Sequence, residues 1–126
     1  MPRGIEYRRL RHASFCYGYR LASEGKIIAF CTDTGTCKNL SLLAAKADLF
    51  IAESAYKIGQ VNNKWPHLNP EQAARVAKAA GCKKLALLHF DAFFYPEKRD
   101  RQNAQKAAQR IFKNTLAADD GLVVDL

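Results

Sequence analysis

Long apolar runs, closely spaced cysteine pairs and an excess of acidic residues are all missing from this 126-residue chain. No apolar stretch approaches the roughly 20 residues that a membrane-spanning helix needs. No basic start leads into the short apolar segment of a secretion signal, and the sequence has no internal repeat or low-complexity segment. These absences argue against a membrane protein and a repeat array, and they predict a cytoplasmic protein.

The composition predicts one globular domain that spans residues 1–126. Apolar residues make up 48% of the chain and charged residues 25%, which is typical of a folded domain rather than a disordered segment. A chain of this length can bury a core but is too short for two ordinary domains.

The four cysteines, Cys16, Cys31, Cys37 and Cys82, include no C-x-x-C pair. In a chain without an export signal, such cysteines are expected to be reduced thiols. We therefore predict mostly buried, small apolar side chains rather than disulfides or a zinc knot.

Basic residues outnumber acidic ones, with 20 Lys and Arg against 12 Asp and Glu and a net charge of +8. This charge favours an anionic partner such as RNA, DNA or a phosphate ester. The basic residues form an early group, Arg3, Arg8, Arg9 and Arg11, and a late group, Lys98, Arg99, Arg101, Lys106, Arg110 and Lys113. The late group is also what the solvated face of a helix presents, and it lacks aromatic residues on which bases could stack.

Apolar runs that alternate with amphipathic stretches predict an α/β fold with a mixed sheet. Gly25 ends the turn of a predicted hairpin, Asn39 is a predicted helix cap, and Asn69 with Pro70 begins a further helix. The predicted strands are 17–22, 26–30, 49–52, 84–88, 116–118 and 122–126, the predicted helices are 40–47, 70–80 and 97–112, and residues 1–16 are expected to be irregular. The last two helices should pack on one face of the sheet, and nothing in the pattern covers the other face.

Three successive predicted strands end in a residue that can bind a metal or carry a proton: Asp33, Glu53 and His89. Side chains at the carboxyl ends of parallel strands meet at one edge of a sheet. Asp33 in Asp-Thr-Gly is also an ordinary turn residue, and any single histidine is more often structural. Because His12 and His67 also lie at element boundaries, the whole set favours a metal or phosphate site.

Several segments together resemble a known family: CTDTG at 31–35, ADLFIAES at 47–54 and HLNPEQAARVAKAAGCKKLALLHF at 67–90. Their order and spacing are similar to those in the C-terminal half of metallo-β-lactamase-fold hydrolases, most closely the ribonuclease Z and phosphodiesterase branch. The resemblance implies half of an αβ/βα sandwich, a mixed sheet with helices on one face.

The resemblance also implies roles for individual residues. His12, Asp33 and His89 would be metal ligands, with Asp33 the carboxylate that bridges two metal ions and a catalytic residue on that account. His67 would pass a proton to the leaving group. The implied cofactor is zinc in a two-metal site, with manganese or iron as alternatives, and the implied substrate is RNA or another phosphodiester.

The departures from the family are as informative as the matches. The family's H-E-A-T segment reads Ala52-Glu53-Ser54-Ala55, and Thr32 stands where a glycine precedes the bridging carboxylate. The H-x-H-x-D-H motif of the family's N-terminal half does not occur in these 126 residues. We therefore expect part of a hydrolase that is inactive alone and holds metal weakly.

Three interpretations remain open from the sequence. The chain could work with an N-terminal half of the fold as its partner. It could instead be a non-catalytic domain that forms a homodimer through the sheet face. A nucleic-acid-binding module is the third possibility, supported by the net charge alone.

Overall fold

The computed structural model describes residues 4–126 as one six-stranded sheet with three helices. The strands are β1 Ile5–Arg9, β2 Tyr17–Ser23, β3 Lys26–Cys31, β4 Leu49–Glu53, β5 Leu85–Leu88 and β6 Thr115–Ala117. The helices are α1 Lys38–Ala44, α2 Pro70–Ala79 and α3 Lys98–Gln109. None of the helices formed by the described residues is long and apolar enough to cross a membrane.

The strands lie side by side in chain order, from β1 to β6. The pairs β1–β2 and β2–β3 are antiparallel, and the pairs from β3 to β6 are parallel. The predicted mixed α/β sheet is therefore confirmed. The parallel strands carry their carboxyl ends to the same edge of the sheet, and this edge holds the candidate site.

One face of the sheet carries the core beneath the helices. Alternate residues of the central strands, such as Ala29, Phe50 and Leu87, are fully buried there. Helix α2 presents small apolar residues to this core, and its start is fixed by a capping box. In that box Asn69 accepts a hydrogen bond from the backbone N–H of Gln72, whose side chain accepts one from Asn69 in return.

Three local predictions were wrong. Of the predicted irregular segment 1–16, residues 1–3 lie outside the described part of the chain, and residues 5–9 form β1, which pairs with β2 and sets Tyr7 opposite Tyr19. Helix α1 begins before the predicted 40–47, and Asn39 lies inside it with its side-chain amide donating to the Arg9 carbonyl. The predicted strand 122–126 does not form. Val123 is 81% exposed in that segment, with no neighbouring strand to pair with it.

All four cysteines are free thiols, and Cys31 and Cys82 are buried while Cys16 and Cys37 are half-buried. Burial raises the pKa of Cys31 to about 12 and that of Cys82 to about 11. Both buried thiols are therefore neutral and packed as small apolar groups.

The second face of the sheet keeps large apolar side chains in solvent. They occupy the positions that alternate with the core residues and pair across strands, as in Tyr19 with Phe30. The exposed members are Tyr7, Tyr17, Tyr19, Leu21 and Phe30, which we call the open sheet face. In an ordinary monomer such a row of apolar side chains is covered.

The chain turns sharply where it leaves β3 and β5. Asp33 and His89 both have a φ of +55°, in the left-handed region that non-glycine residues rarely occupy. Such a conformation costs on the order of 1 kcal/mol and persists where the surrounding structure enforces it. At both strand ends, the residue in this conformation has a side chain suited to binding a metal.

Substitutions at His89 test this backbone conformation. Because the φ is +55°, His89→Gly is expected to be more stable than His89→Ala by about 1 kcal/mol in urea unfolding. Phe93, which is 84% exposed and has no positive φ, is the matched control. There alanine should be the more stable variant, because glycine loses more freedom on folding. Equal stability of the two His89 variants would contradict the left-handed turn.

Candidate active site

Five ionisable side chains meet at the carboxyl ends of the parallel strands. Asp33 follows β3, Glu53 ends β4 and His89 follows β5. His12 comes from the connection between β1 and β2, and His67 from the segment before α2. The strand order places the first three side by side, as expected at this edge of an open α/β sheet.

The distances make this a single cluster. Ligand atoms of His12, Asp33 and His67 all lie within 4.8 Å of one another, and the same holds for Glu53, His67 and His89. Nε2 of His89 is 3.4 Å from Oδ1 of Asp33, and the ring centres of His12 and His67 are 4.9 Å apart. His67 is therefore the member that belongs to both groups.

Glu53 is the buried centre of the cluster, with no exposed surface. Its carboxylate accepts hydrogen bonds from the backbone N–H groups of Thr34, Ala55 and Leu68. It also lies 2.9 Å from Nδ1 of His67 through both oxygens. Burial raises the pKa of Glu53 to about 7, while the N–H groups of Thr34 and Leu68 act in the opposite direction. The pair of Glu53 and His67 is thus poised to exchange a proton near neutral pH.

Burial lowers the pKa of His67, which favours its neutral form, while the charges of Asp33 and Asp91 act in the opposite direction. Its Nδ1 is engaged with Glu53, so Nε2 is the ring nitrogen available to a substrate or a metal. A carboxylate at Nδ1 fixes the ring orientation and stabilises the imidazolium form when the other nitrogen takes up a proton.

His12 is oriented in a similar way by the backbone. Its Nδ1 donates to the carbonyl oxygen of Pro66 at 3.2 Å, since a carbonyl can only accept. The proton is thereby placed on Nδ1, and the lone pair of Nε2 is free to bind a metal.

The donor set fits a divalent metal ion. Imidazole nitrogen from His12 and His89 and carboxylate oxygen from Asp33 are ligands that zinc accepts, and manganese and iron accept them as well. Asp33 and His89 are both partly exposed, at 42% and 43% of their side-chain surface, so an ion could reach them from solvent. The ligand roles of these residues remain predictions.

A cleft of about 730 Å³ opens beside His89. It is lined by Leu88, Phe90 and Ala118 and by charged residues of α3 and the segment after β6. The carboxylate of Asp119 forms ion pairs with Lys98 at 3.1 Å and with Arg101 at 3.5 Å. The first turns of α3 therefore bring two cations to the rim of the cluster.

Sequence reasoning placed His12, Asp33, His67 and His89 in the site, and the fold does bring them together. It did not foresee that Glu53 holds His67 and three backbone amides. The available signals were a glutamate directly after four apolar residues and its match to the glutamate of the family's H-E-A-T segment, and neither specifies its hydrogen-bond partners. It also missed Trp65, whose ring centre lies 5.6 Å from that of His12.

Removing the Glu53 carboxylate is expected to destabilise the fold strongly. Glu53→Ala leaves three buried backbone N–H groups without an acceptor, and the free energy of unfolding should fall by about 3 kcal/mol or more. Glu53→Gln keeps one acceptor oxygen and should lose less. Glu6→Ala, at an exposed glutamate of β1, serves as the control and should change stability by less than about 0.5 kcal/mol. Chemical denaturation measures all three, and a loss under 1 kcal/mol for Glu53→Ala would argue against this buried network.

The sequence and the fold both match characterised proteins. Residues 2–90 match the model of the beta-lactamase superfamily domain. Ribonuclease Z of Bacillus licheniformis is 37% identical over 99 residues, which cover 77% of this chain and 32% of that protein. Ribonuclease Z of Synechocystis sp. is 33% identical over 122 residues, covering 94% of this chain and 36% of that protein.

Two solved structures have the same fold. The metallo-β-lactamase-fold protein YhfI from Bacillus subtilis superposes on 94% of this chain with a TM-score of 0.83 and 25% identity. The short form of human tRNase Z superposes on 96% with a TM-score of 0.68 and 23% identity, which supports the fold alone. The match covers 47% of the first protein and 42% of the second. The chain thus spans about a third of the ribonuclease Z relatives, and it belongs to the metallo-β-lactamase superfamily.

Proposed function

We propose that this chain forms part of the active site of a metal-dependent hydrolase that cleaves phosphodiester bonds in RNA. The observation that carries the proposal is the convergence of His12, Asp33, His67 and His89 around the buried Glu53. The superfamily consists of metal-dependent hydrolases, and the named relatives are ribonuclease Z enzymes. The free cysteines are consistent with a cytoplasmic location, and we include this location in the proposal.

His12, Asp33 and His89 would hold the metal, with Asp33 shared between two ions and zinc as the first choice. When bound, such ions polarise the phosphate and lower the pKa of water at the site. The chain supplies a preset geometry for this purpose. The Pro66 carbonyl fixes the His12 tautomer, and the left-handed turns fix where Asp33 and His89 leave their strands.

His67 would first take up a proton at Nε2, forming an imidazolium that Glu53 stabilises at Nδ1, and would then give that proton to the leaving oxygen. Glu53 lies at Nδ1 and leaves Nε2 of His67 free to exchange a proton. Burial of both side chains keeps competing water away from the Nδ1 contact. Lys98 and Arg101 would attract the anionic substrate to the neighbouring cleft once a phosphate displaces Asp119.

The site as described draws three metal ligands from this chain, which is few for two ions. The remaining ligands would come from an N-terminal half of the fold seated on the open sheet face. The chain alone is therefore proposed to be inactive and to bind metal weakly.

A complementation assay tests the proposal. The chain is combined with the region of Bacillus licheniformis ribonuclease Z that precedes the matched 99 residues, and hydrolysis of bis-p-nitrophenyl phosphate is followed with Zn²⁺ or Mn²⁺. We expect no activity from the chain alone, activity from the pair, and loss of that activity in EDTA. Asp33→Asn should reduce the rate at least 100-fold, because a neutral amide cannot neutralise two cations.

The matched control is Asp125→Asn, at an exposed aspartate near the end of the chain, which should retain full activity. Activity of the pair that survives Asp33→Asn would contradict the assigned role. Absence of activity with this half and with the corresponding half of other ribonuclease Z relatives would count against the proposed hydrolase.

The open sheet face supports a second candidate function, a self-associating domain. Tyr7, Tyr17, Tyr19, Leu21 and Phe30 form a row of exposed apolar side chains on neighbouring strands. Two copies that pack sheet against sheet would bury both rows and give the two-layer arrangement typical of stable sandwiches.

Sedimentation velocity distinguishes this candidate. A homodimer is expected at micromolar concentration, and Phe30→Lys should convert it to a monomer by placing a charge in the apolar interface. Leu42→Lys is the matched control, because Leu42 is exposed to the same extent, 41% against 42% for Phe30, but lies on α1. A wild-type chain that stays monomeric would rule out the homodimer.

A further inference from the structure

An exposed aromatic ring in direct contact with the candidate site is that of Trp65, the only tryptophan in the chain. Its side chain is 55% exposed, and its ring meets that of His12 at 5.6 Å with an interplanar angle of 68°. The two rings therefore touch edge to face and do not stack in parallel. A large apolar surface is left in solvent directly beside a predicted metal ligand, and neither the core nor the Glu53 network accounts for it.

The backbone around Trp65 is firmly held, although it belongs to the long connection between β4 and α2. The hydroxyl of the buried Tyr56 donates to the Trp65 carbonyl, and the Trp65 N–H donates to Oδ1 of Asn62 at 3.2 Å. The next residue, Pro66, packs so closely on Gly35 that a Cβ added there would lie 2.8 Å from the proline ring. The exposed ring is thus presented by a fixed segment, which lowers the entropy lost when a ligand binds.

A cation lies on the same side of the cluster. The guanidinium of Arg11 donates to Oδ1 of Asn63 at 3.2 Å, two residues before Trp65 in the chain. Arg11 is exposed, and its backbone N–H donates to the Thr34 hydroxyl in the turn that carries Asp33. An aromatic ring and a guanidinium are therefore both anchored to the rim of the site.

We propose that Trp65 is a stacking platform for an unpaired nucleobase of the substrate, with Arg11 contacting the adjoining phosphate. An aromatic face combined with a cation is the combination by which proteins bind single-stranded nucleic acid. A base within a duplex offers no free face, so the site selects RNA whose bases near the scissile phosphate are unpaired. This inference rests on the proposed function and adds the form of RNA that the site accepts.

The chain allows a direct binding test, since Trp65 is the sole tryptophan and its fluorescence reports only on this position. The 126-residue chain in EDTA is titrated with pentaadenylate and, separately, with an abasic ribose-phosphate pentamer of the same charge. We expect saturable quenching by pentaadenylate and at least about tenfold weaker binding of the abasic pentamer, as the loss of one stacked base predicts.

Variants of Trp65 test whether the preference for pentaadenylate over the abasic pentamer depends on the indole ring. Binding to Trp65→Leu and Trp65→Phe is measured by the anisotropy of labelled pentamers. Leucine should reduce the preference for pentaadenylate to less than twofold, and phenylalanine, which keeps an aromatic face, should retain part of it. Phe15→Leu is the control, because Phe15 is exposed at 75% with the Arg9 guanidinium 4.2 Å from its ring centre, but has no role in the proposed site or interface. It should retain the full preference.

Equal binding of the two pentamers by the wild type would overturn the inference, and so would an undiminished preference in Trp65→Leu. Because EDTA prevents hydrolysis, the result does not depend on the phosphodiesterase assay. Failure of hydrolysis with base-dependent quenching intact would count only against the proposed reaction. Hydrolysis without base preference would count only against the stacking platform.

Discussion

The arrangement around the site depends on one buried carboxylate. Glu53 has no exposed surface, yet it joins the end of β4 to two segments that are distant in sequence, through hydrogen bonds from Thr34 in one and from His67 and Leu68 in the other. Each partner lies in a segment that carries site residues: the turn with Asp33, and the stretch that leads into α2. A buried carboxylate with this many donors holds these segments together, because every unmade bond would leave a polar group without solvent.

At the ends of β3 and β5, the backbone is also held in a conformation that lowers local stability. Asp33 and His89 adopt a left-handed backbone that glycine would tolerate better, and neither side chain is buried enough to stabilise the fold by packing. Strain of this kind is found where a side chain must point in a set direction. Glu24 and Lys46 adopt the same conformation at turns that carry no site residue, so it is the combination with metal-binding side chains that singles out Asp33 and His89.

The sequence predicted the parts of the fold that have strong periodic signals. The hairpin whose turn ends at Gly25, the buried run 49–52 and the Asn69 cap all form nearly as expected, because pattern and turn chemistry agree there. Strand β1 was not predicted, because its arginines obscure the alternation of Ile5 and Tyr7. Its pairing with β2 joins segments that are separated in sequence, which a local pattern does not reveal. The Glu53 network could not be predicted, because it depends on which loops meet above β4.

This chain supplies all of the proposed proton-transfer residues but only some of the proposed metal ligands. The proton-handling pair, His67 and Glu53, has every partner it needs among the described residues, including the amides that hold the carboxylate. The proposed metal-binding set from this chain has only His12, Asp33 and His89. On the proposed function, we infer a division of labour in which this chain orients the leaving group and its proton, while metal affinity is created by assembly. Such a protein would hydrolyse phosphodiesters only when whole, because without the metal ions nothing would neutralise the phosphate or activate water, and proton transfer by His67 alone would not cleave the bond.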